Sequence, residues 1–149
     1  MARGRFAVAV HALVILAHSP GSTTSSFLAG SVNTHATCVR RVLATLTRSG
    51  IIEAAEGREG GYRLARPATE ITLAEIYHAV GDDPLLRPNS AATNPHCPIS
   101  VAMGCAFAEI AEDAEKQFRE ALSRRTLADV ATRVVAPVIH PHLTDLLHP

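Results

Sequence analysis

The stretch from Ala55 to Pro67 reads Ala-Glu-Gly-Arg-Glu-Gly-Gly-Tyr-Arg-Leu-Ala-Arg-Pro, and it constrains this chain more than any other part. Its glycines favour a tight reversal of the backbone and a close approach to phosphate. Ile51-Ile52-Glu53-Ala54 before the reversal and Gly61 to Leu64 after it read as two short strands of a hairpin. Arg58, Arg63 and Arg66 supply charge without a long basic run. Taken alone, the segment also fits an ordinary surface hairpin. The segment just before it narrows the choice. From Thr34 to Arg48, the residues Val39, Val42, Leu43 and Leu46 recur at the spacing of one helical face. The same period turns Thr37, Arg41, Ala44 and Arg48 outward, with Cys38 and Arg40 on the flanks, and Gly50 ends the run.

Upstream, Phe6, Val10, Leu13, Val14 and Ala17 follow helical spacing until Ser19-Pro20-Gly21. Thr23 and Thr24 are candidate caps for a short second helix through Leu28 and Ala29, Gly30 to Asn33 makes a turn, and Asn33 or Thr34 can cap the third helix. Downstream, Thr72-Leu73-Ala74-Glu75 is a capping box flanked by Ile71 and Ile76 as a hydrophobic staple, starting a helix that ends near Gly81. Four prolines between Asp82 and Pro98 mark a linker. A long helix follows, with Met103, Phe107, Ile110, Ala114, Phe118 and Ala121 on one stripe. Glu112–Lys116, Glu115–Arg119 and Glu120–Arg124 are placed as supporting i,i+4 pairs. Thr126 to Val135 reads as a last short helix, and the Pro-bearing tail as loose.

A helix for a groove followed by a basic β-tip for a backbone is the logic of a winged helix-turn-helix DNA reader. The expected architecture is mainly α with a small β-wing, plus a long C-terminal dimerisation helix. The expected division is 1–81 for the winged domain, 82–98 for the linker, 99–136 for assembly and 137–149 for the tail. Thr37, Arg40 and Arg41 lie in the N-terminal half of the third helix, where base edges are reached, with Thr34, His35, Cys38 and Arg48 beside them. Thr24 and Ser25 can offer hydroxyl and N–H groups to phosphate. Arg58, Gly60, Gly61, Tyr62 and Arg63 form the expected wing contacts. The stripe on the long helix wants a partner; a second copy is the simplest, and packing back on its own domain is the alternative.

A net charge of zero over 149 residues is poor for a DNA binder, but its distribution is not. Residues 1–70 hold eight arginines and four glutamates, a net of +4; residues 71–149 hold six basic and ten acidic side chains, a net of −4. That asymmetry suits a basic binding half and an acidic assembly half. No apolar run approaches the ~18 residues of a membrane span, so the expected location is the cytoplasm. Three cysteines suggest no disulfide framework. No nucleophile elbow, phosphate-binding loop or zinc-protease helix is present, and the histidines are scattered, so an enzyme is disfavoured. A winged helix used only for protein interaction is a further alternative, which the outward Arg41 and Arg48 disfavour.

Asn33-Thr34, Val39-Arg40-Arg41, Gly50-Ile51-Ile52, Gly60-Gly61-Tyr62-Arg63-Leu64-Ala65-Arg66-Pro67 and Ile71-Thr72-Leu73 with Ile76-Tyr77 and Val80 stand in one characteristic order. That order resembles the BadM/Rrf-type family of bacterial winged-helix transcriptional regulators over residues 5–81, and the long helix fits that family's dimerisation helix. The resemblance implies a homodimer on a near-palindromic operator, acting as a repressor, with the third helix in the major groove. Some members hold an iron–sulfur cluster through three cysteines near the long helix. This chain departs from that pattern, offering only Cys97 and Cys105 there; a cluster would need His96, a carboxylate or the second subunit as well. Asn94-Pro95-His96-Cys97-Pro98 is more similar to the cluster-free branch, which implies no cofactor or metal. In that branch Cys97 is either a thiol switch with Cys105 as resolving partner, or a small packing residue.

Overall fold

A computed structural model describes residues 2–81, 84, 86 and 94–135. The elements run α1 (Ala2–His18), α2 (Ser25–Val32), α3 (Ala36–Arg48), β1 (Ile52–Ala55), β2 (Gly61–Leu64), a 3-10 turn (Ala68–Glu70), α4 (Leu73–Ala79), α5 (Pro98–Ser123) and α6 (Leu127–Val135). The expected tail and most of the linker lie outside the described residues. Among the described residues, no helix is long and apolar enough to cross a membrane.

Helix α1 packs against α2, α3, α4, α6 and β2. That central place explains its composition, which is apolar nearly all round. It also explains why the expected inward line was only partly right. Leu13 and Val14 are buried, but Ala9, Ala12 and Leu16 complete the core face, and Phe6, Val10 and Ala17 are half-buried. Helix α3 follows its pattern fully: Val39, Val42, Leu43 and Leu46 are buried. Each contributes about 2 kcal/mol of transfer free energy.

The caps differ from expectation in three places. Thr24 does cap α2, its hydroxyl accepting from the Phe27 N–H at 3.3 Å. Thr23 instead is buried and exchanges two backbone hydrogen bonds with Tyr62, both 2.9 Å, adding a one-residue bridge to the wing. Asn33 closes α2 in the left-handed conformation, φ 53°, which Asn tolerates. A residue in that conformation cannot be the extended N-cap of the next helix, and His35 takes that position without a side-chain bond. At α4 the capping box forms as read: Glu75 N–H to Thr72 Oγ1 at 3.2 Å and Thr72 N–H to Glu75 Oε2 at 2.8 Å. Ile71 and Ile76 are both fully buried.

Helix α5 starts one residue earlier than expected, because Pro98 occupies the first helical position, where a missing N–H costs nothing. Tyr77 of α4 sits edge-on between Phe6 of α1 and Phe118 of α5, with ring centroids 5.4 and 5.2 Å away. The pairs Glu115–Arg119 and Glu120–Arg124 are formed along α5. The chain then turns back. Thr126 and Asp129 cap α6 reciprocally, Leu127 N–H donates to the Ile71 carbonyl at 2.8 Å, and Leu73 N–H to the Arg125 carbonyl at 2.9 Å. Leu127 and Ala131 are buried in the same core as α1. The last short helix, assigned by sequence to the assembly half, therefore completes the winged core.

Candidate nucleic-acid interface

Helix α3 presents one polar face to solvent. Thr37, Arg40, Arg41, Ala44 and Arg48 are exposed, and Cys38 is half-buried at its edge. None of these arginines has a carboxylate partner among the described residues. The chain around and before it is also free of negative charge: the first 52 residues contain no Asp or Glu. At about 1.5 Å per residue, the helix is ~20 Å long, and its width matches a major groove ~12 Å across.

The flank of this face is built from the start of α2 and the α2–α3 turn. Thr24 is exposed and Ser25 half-buried. The Thr24 hydroxyl already caps Phe27, so what this helix start offers is mainly its first free N–H groups. Thr34 is half-buried and His35 exposed, with the His35 carbonyl accepting from Cys38 and Val39. Phe27, partly exposed, lies with Ser22, Thr24, Arg58 and Glu59 along a groove of about 620 Å³ between α2 and the wing.

The wing differs most from the sequence reading. Gly60 and Gly61 were expected to allow close approach to phosphate, but the chain's own backbone requires them. A Cβ at Gly60 would meet the Ala55 and Gly57 carbonyls at 2.8 Å, and one at Gly61 the Thr23 carbonyl at 2.6 Å. Tyr62 is half-buried and packs on the core. Arg63 faces Glu53 across the strand pair and is ion-paired with it. Arg66 is tied to Glu75 at 2.6 Å and to the Glu70 carbonyl at 2.7 Å, bracing the start of α4. Burial pushes the Glu75 carboxyl up, but the Thr72 backbone and hydroxyl and the Arg66 guanidinium outweigh it and hold the pKa below its ordinary value. Arg58 at the exposed tip is the wing arginine without such a partner among the described residues.

The expected stripe on α5 divides. Phe118 packs on Tyr77 of its own chain, while Phe107 and Ala114 are half-buried. Met103 and Ile110 remain open at 58% and 60%, joined by Ile99 at 74%, and Ala121 is also exposed. At 100° per residue, Ile99, Met103, Ile110 and Ala121 share one line, and Phe118 with Leu122 lies ~95° around the helix from it. The sequence stripe merged these two lines because they overlap at Phe107 and Ala114. Ile99 was missed because it precedes the stripe; the Thr126-x-x-Asp129 cap was missed although its spacing was legible.

Cys97 is the N-cap of α5 and half-buried; Cys105 is exposed two turns along. All residues between them are helical, which separates their Cα atoms by ~12 Å, beyond disulfide reach. Cys38 lies on α3. Among the described residues no group of three His, Cys, Asp or Glu side chains could hold a metal ion. An iron–sulfur cluster takes four ligands, and among the described residues no single-chain set of that kind comes together.

A helix-turn-helix with an unopposed basic face, followed by a two-stranded wing, defines a winged-helix transcriptional regulator. The chain belongs to the Rrf2 family, described as iron-dependent transcriptional regulators, which matches residues 3–133. It is 32% identical over 130 residues to YwnA of Bacillus subtilis, assigned by name to the HTH-type transcriptional regulators, covering 87% of this chain and 96% of that protein. Two solved structures share the fold. One, named as a DNA-binding protein, is 30% identical with a TM-score of 0.67 over 85% of this chain and 97% of its own. The other, a transcriptional regulator from Lactobacillus plantarum, is 25% identical with a TM-score of 0.72 over 99% and 97%. The family is one of regulators, not enzymes.

Proposed function

We propose that this regulator is a cytoplasmic homodimer that represses transcription by occupying a near-palindromic operator, with α3 of each copy in a major groove. The carrying observation is the outer face of α3: Thr37, Arg40, Arg41 and Arg48 stand exposed, and the arginines have no carboxylate partner among the described residues. Arg reads guanine edges with two parallel hydrogen bonds, and Arg40 and Arg41 lie in the half of the helix that reaches bases. The start of α2 and Arg58 contact the flanking phosphates. The exposed line Ile99, Met103 and Ile110, with Phe107 and Ala114 at its edge, is the surface a second copy covers. A salt-dependent gel shift on genomic fragments tests the reading. Phosphate contacts make affinity fall steeply with salt, and a protein that retards no fragment at low salt is not this regulator.

For control, we infer a thiol switch at Cys97, with Cys105 of either copy as resolving partner. The position at the start of α5 supports it, since a thiolate there meets the positive end of the helix dipole. An intrachain bond requires the helix start to unwind, whereas a bond between copies does not. Either shifts the long helices and the spacing of the two α3 helices. Oxidant titration of operator binding checks it: equal sensitivity of wild type and Cys97→Ser reduces Cys97 to a packing residue.

A further inference from the structure

The wing carries almost no spare positive charge, although its sequence holds three arginines. Arg63 is held by Glu53, and Arg66 by Glu75 and the Glu70 carbonyl. What remains is the tip, Glu56-Gly57-Arg58-Glu59, where one cation stands between two carboxylates. All three charged side chains are exposed, and none has an ion-pair partner among the described residues. The Gly60 N–H donates to the Gly57 carbonyl at 3.0 Å, which closes the turn and puts Arg58 and Glu59 at its two outermost positions. Glu59 also borders the groove that leads to the start of α2. The tip is thus net negative where a phosphate clamp would be net positive, while α3 has arginines and no carboxylates.

We propose that Glu56 and Glu59 are specificity-determining residues of the wing: they act as an electrostatic brake on its attraction to the phosphate backbone. The inference rests on the DNA-binding reading above. Binding to arbitrary duplex is nearly all phosphate attraction and counterion release. Two carboxylates within about a Debye length of the backbone, ~8 Å, subtract from it on every sequence. Base contacts from α3 are available only on the operator, so the operator is the duplex that overcomes the repulsion.

The test uses the full chain and its Glu56→Gln/Glu59→Gln variant, titrated with a selected operator and with a random-sequence duplex at several salt concentrations. The expected result is random-duplex affinity raised about tenfold at low salt, a steeper fall of log K with log salt, and an unchanged melting temperature. Glu53→Gln, which frees Arg63, should shift random-duplex affinity the same way. A double variant that binds random duplex no more tightly than wild type, at the same salt slope, overturns the brake. A variant that binds more weakly overturns it too, and makes the carboxylates positioning groups for Arg58. A wild type that binds no duplex at any salt defeats the DNA-binding reading itself, and the brake with it.

Discussion

Arg41 and Arg66 differ in what their guanidinium groups touch, and substitutions should separate the two roles. Arg41 is exposed on α3 with no partner among the described residues; Arg66 is bound to Glu75 and to the Glu70 carbonyl. Arg41→Ala is expected to cost about 1–3 kcal/mol of operator affinity with no change in melting temperature. Arg66→Ala should lower the melting temperature and leave the affinity of folded protein unaltered. Anisotropy titrations paired with thermal melts read both. The caps bring a pH dependence. The Thr126 backbone and hydroxyl bonds hold the Asp129 carboxyl below its ordinary value, as the Thr72 and Arg66 contacts do for Glu75. A carboxylate with a depressed folded pKa contributes stability above its unfolded pKa and loses it as pH falls through the folded one. The melting temperature should therefore drop below about pH 4.5. Glu75→Gln should melt lower at neutral pH and show a shallower acid drop; parallel curves for variant and wild type would count against the cap's role.

The wing is held by backbone as much as by side chains. Thr23 pairs with Tyr62 on one side of β2, and β1 pairs on the other, so β2 is the middle of three extended segments. Gly61 lies where Thr23 crosses, and Gly61→Ala should push the two apart at a cost of about 1–3 kcal/mol. Hydrogen exchange at the Tyr62 amide should quicken in that variant; unchanged protection would show that the crossing relaxes freely. Helix α5 works differently. Its Phe118 and Leu122 side rests on its own domain, so a charge there would unfold the chain rather than report on assembly. Ile110, 60% exposed, is the position to probe. Ile110→Glu is expected to leave the monomer folded and to abolish the dimer. Sedimentation at micromolar concentration decides it, and a wild type that is itself monomeric there rejects the dimer.

At the scale of the molecule, the charge asymmetry of +4 in residues 1–70 and −4 in residues 71–149 follows the two surfaces that the proposed function uses. The N-terminal part carries the α3 face, and the C-terminal part carries α5. Yet the two are not separate bodies, because α6 returns to α1 and joins the winged core through Leu127 and Ala131. The proposed movement of α5 at Cys97 would reach α4 through the Tyr77–Phe118 contact, and α1 through α6. Loss of operator affinity in the Ile110→Glu dimer variant should be far larger than in Arg41→Ala, since half-sites about one helical turn apart are no longer bridged.

What the sequence determined by itself was local. Helical period fixed the buried and exposed faces of α3, and Thr72-x-x-Glu75 fixed the start of α4, because each depends on residues three or four apart. The hairpin was legible for the same reason. The tertiary structure decided what depends on distant neighbours. Which wing arginine is free follows from the register that sets Arg63 opposite Glu53 and from the packing that brings Arg66 to Glu75. Gly61 and Tyr62 take a structural part in the wing because Thr23, nearly 40 residues earlier, lies against them. The α5 stripe divided because α4 covers one side of the helix and leaves the other open. Charge and apolarity are written in the chain; whether a given charge is spent or an apolar face is covered is settled only when remote segments meet.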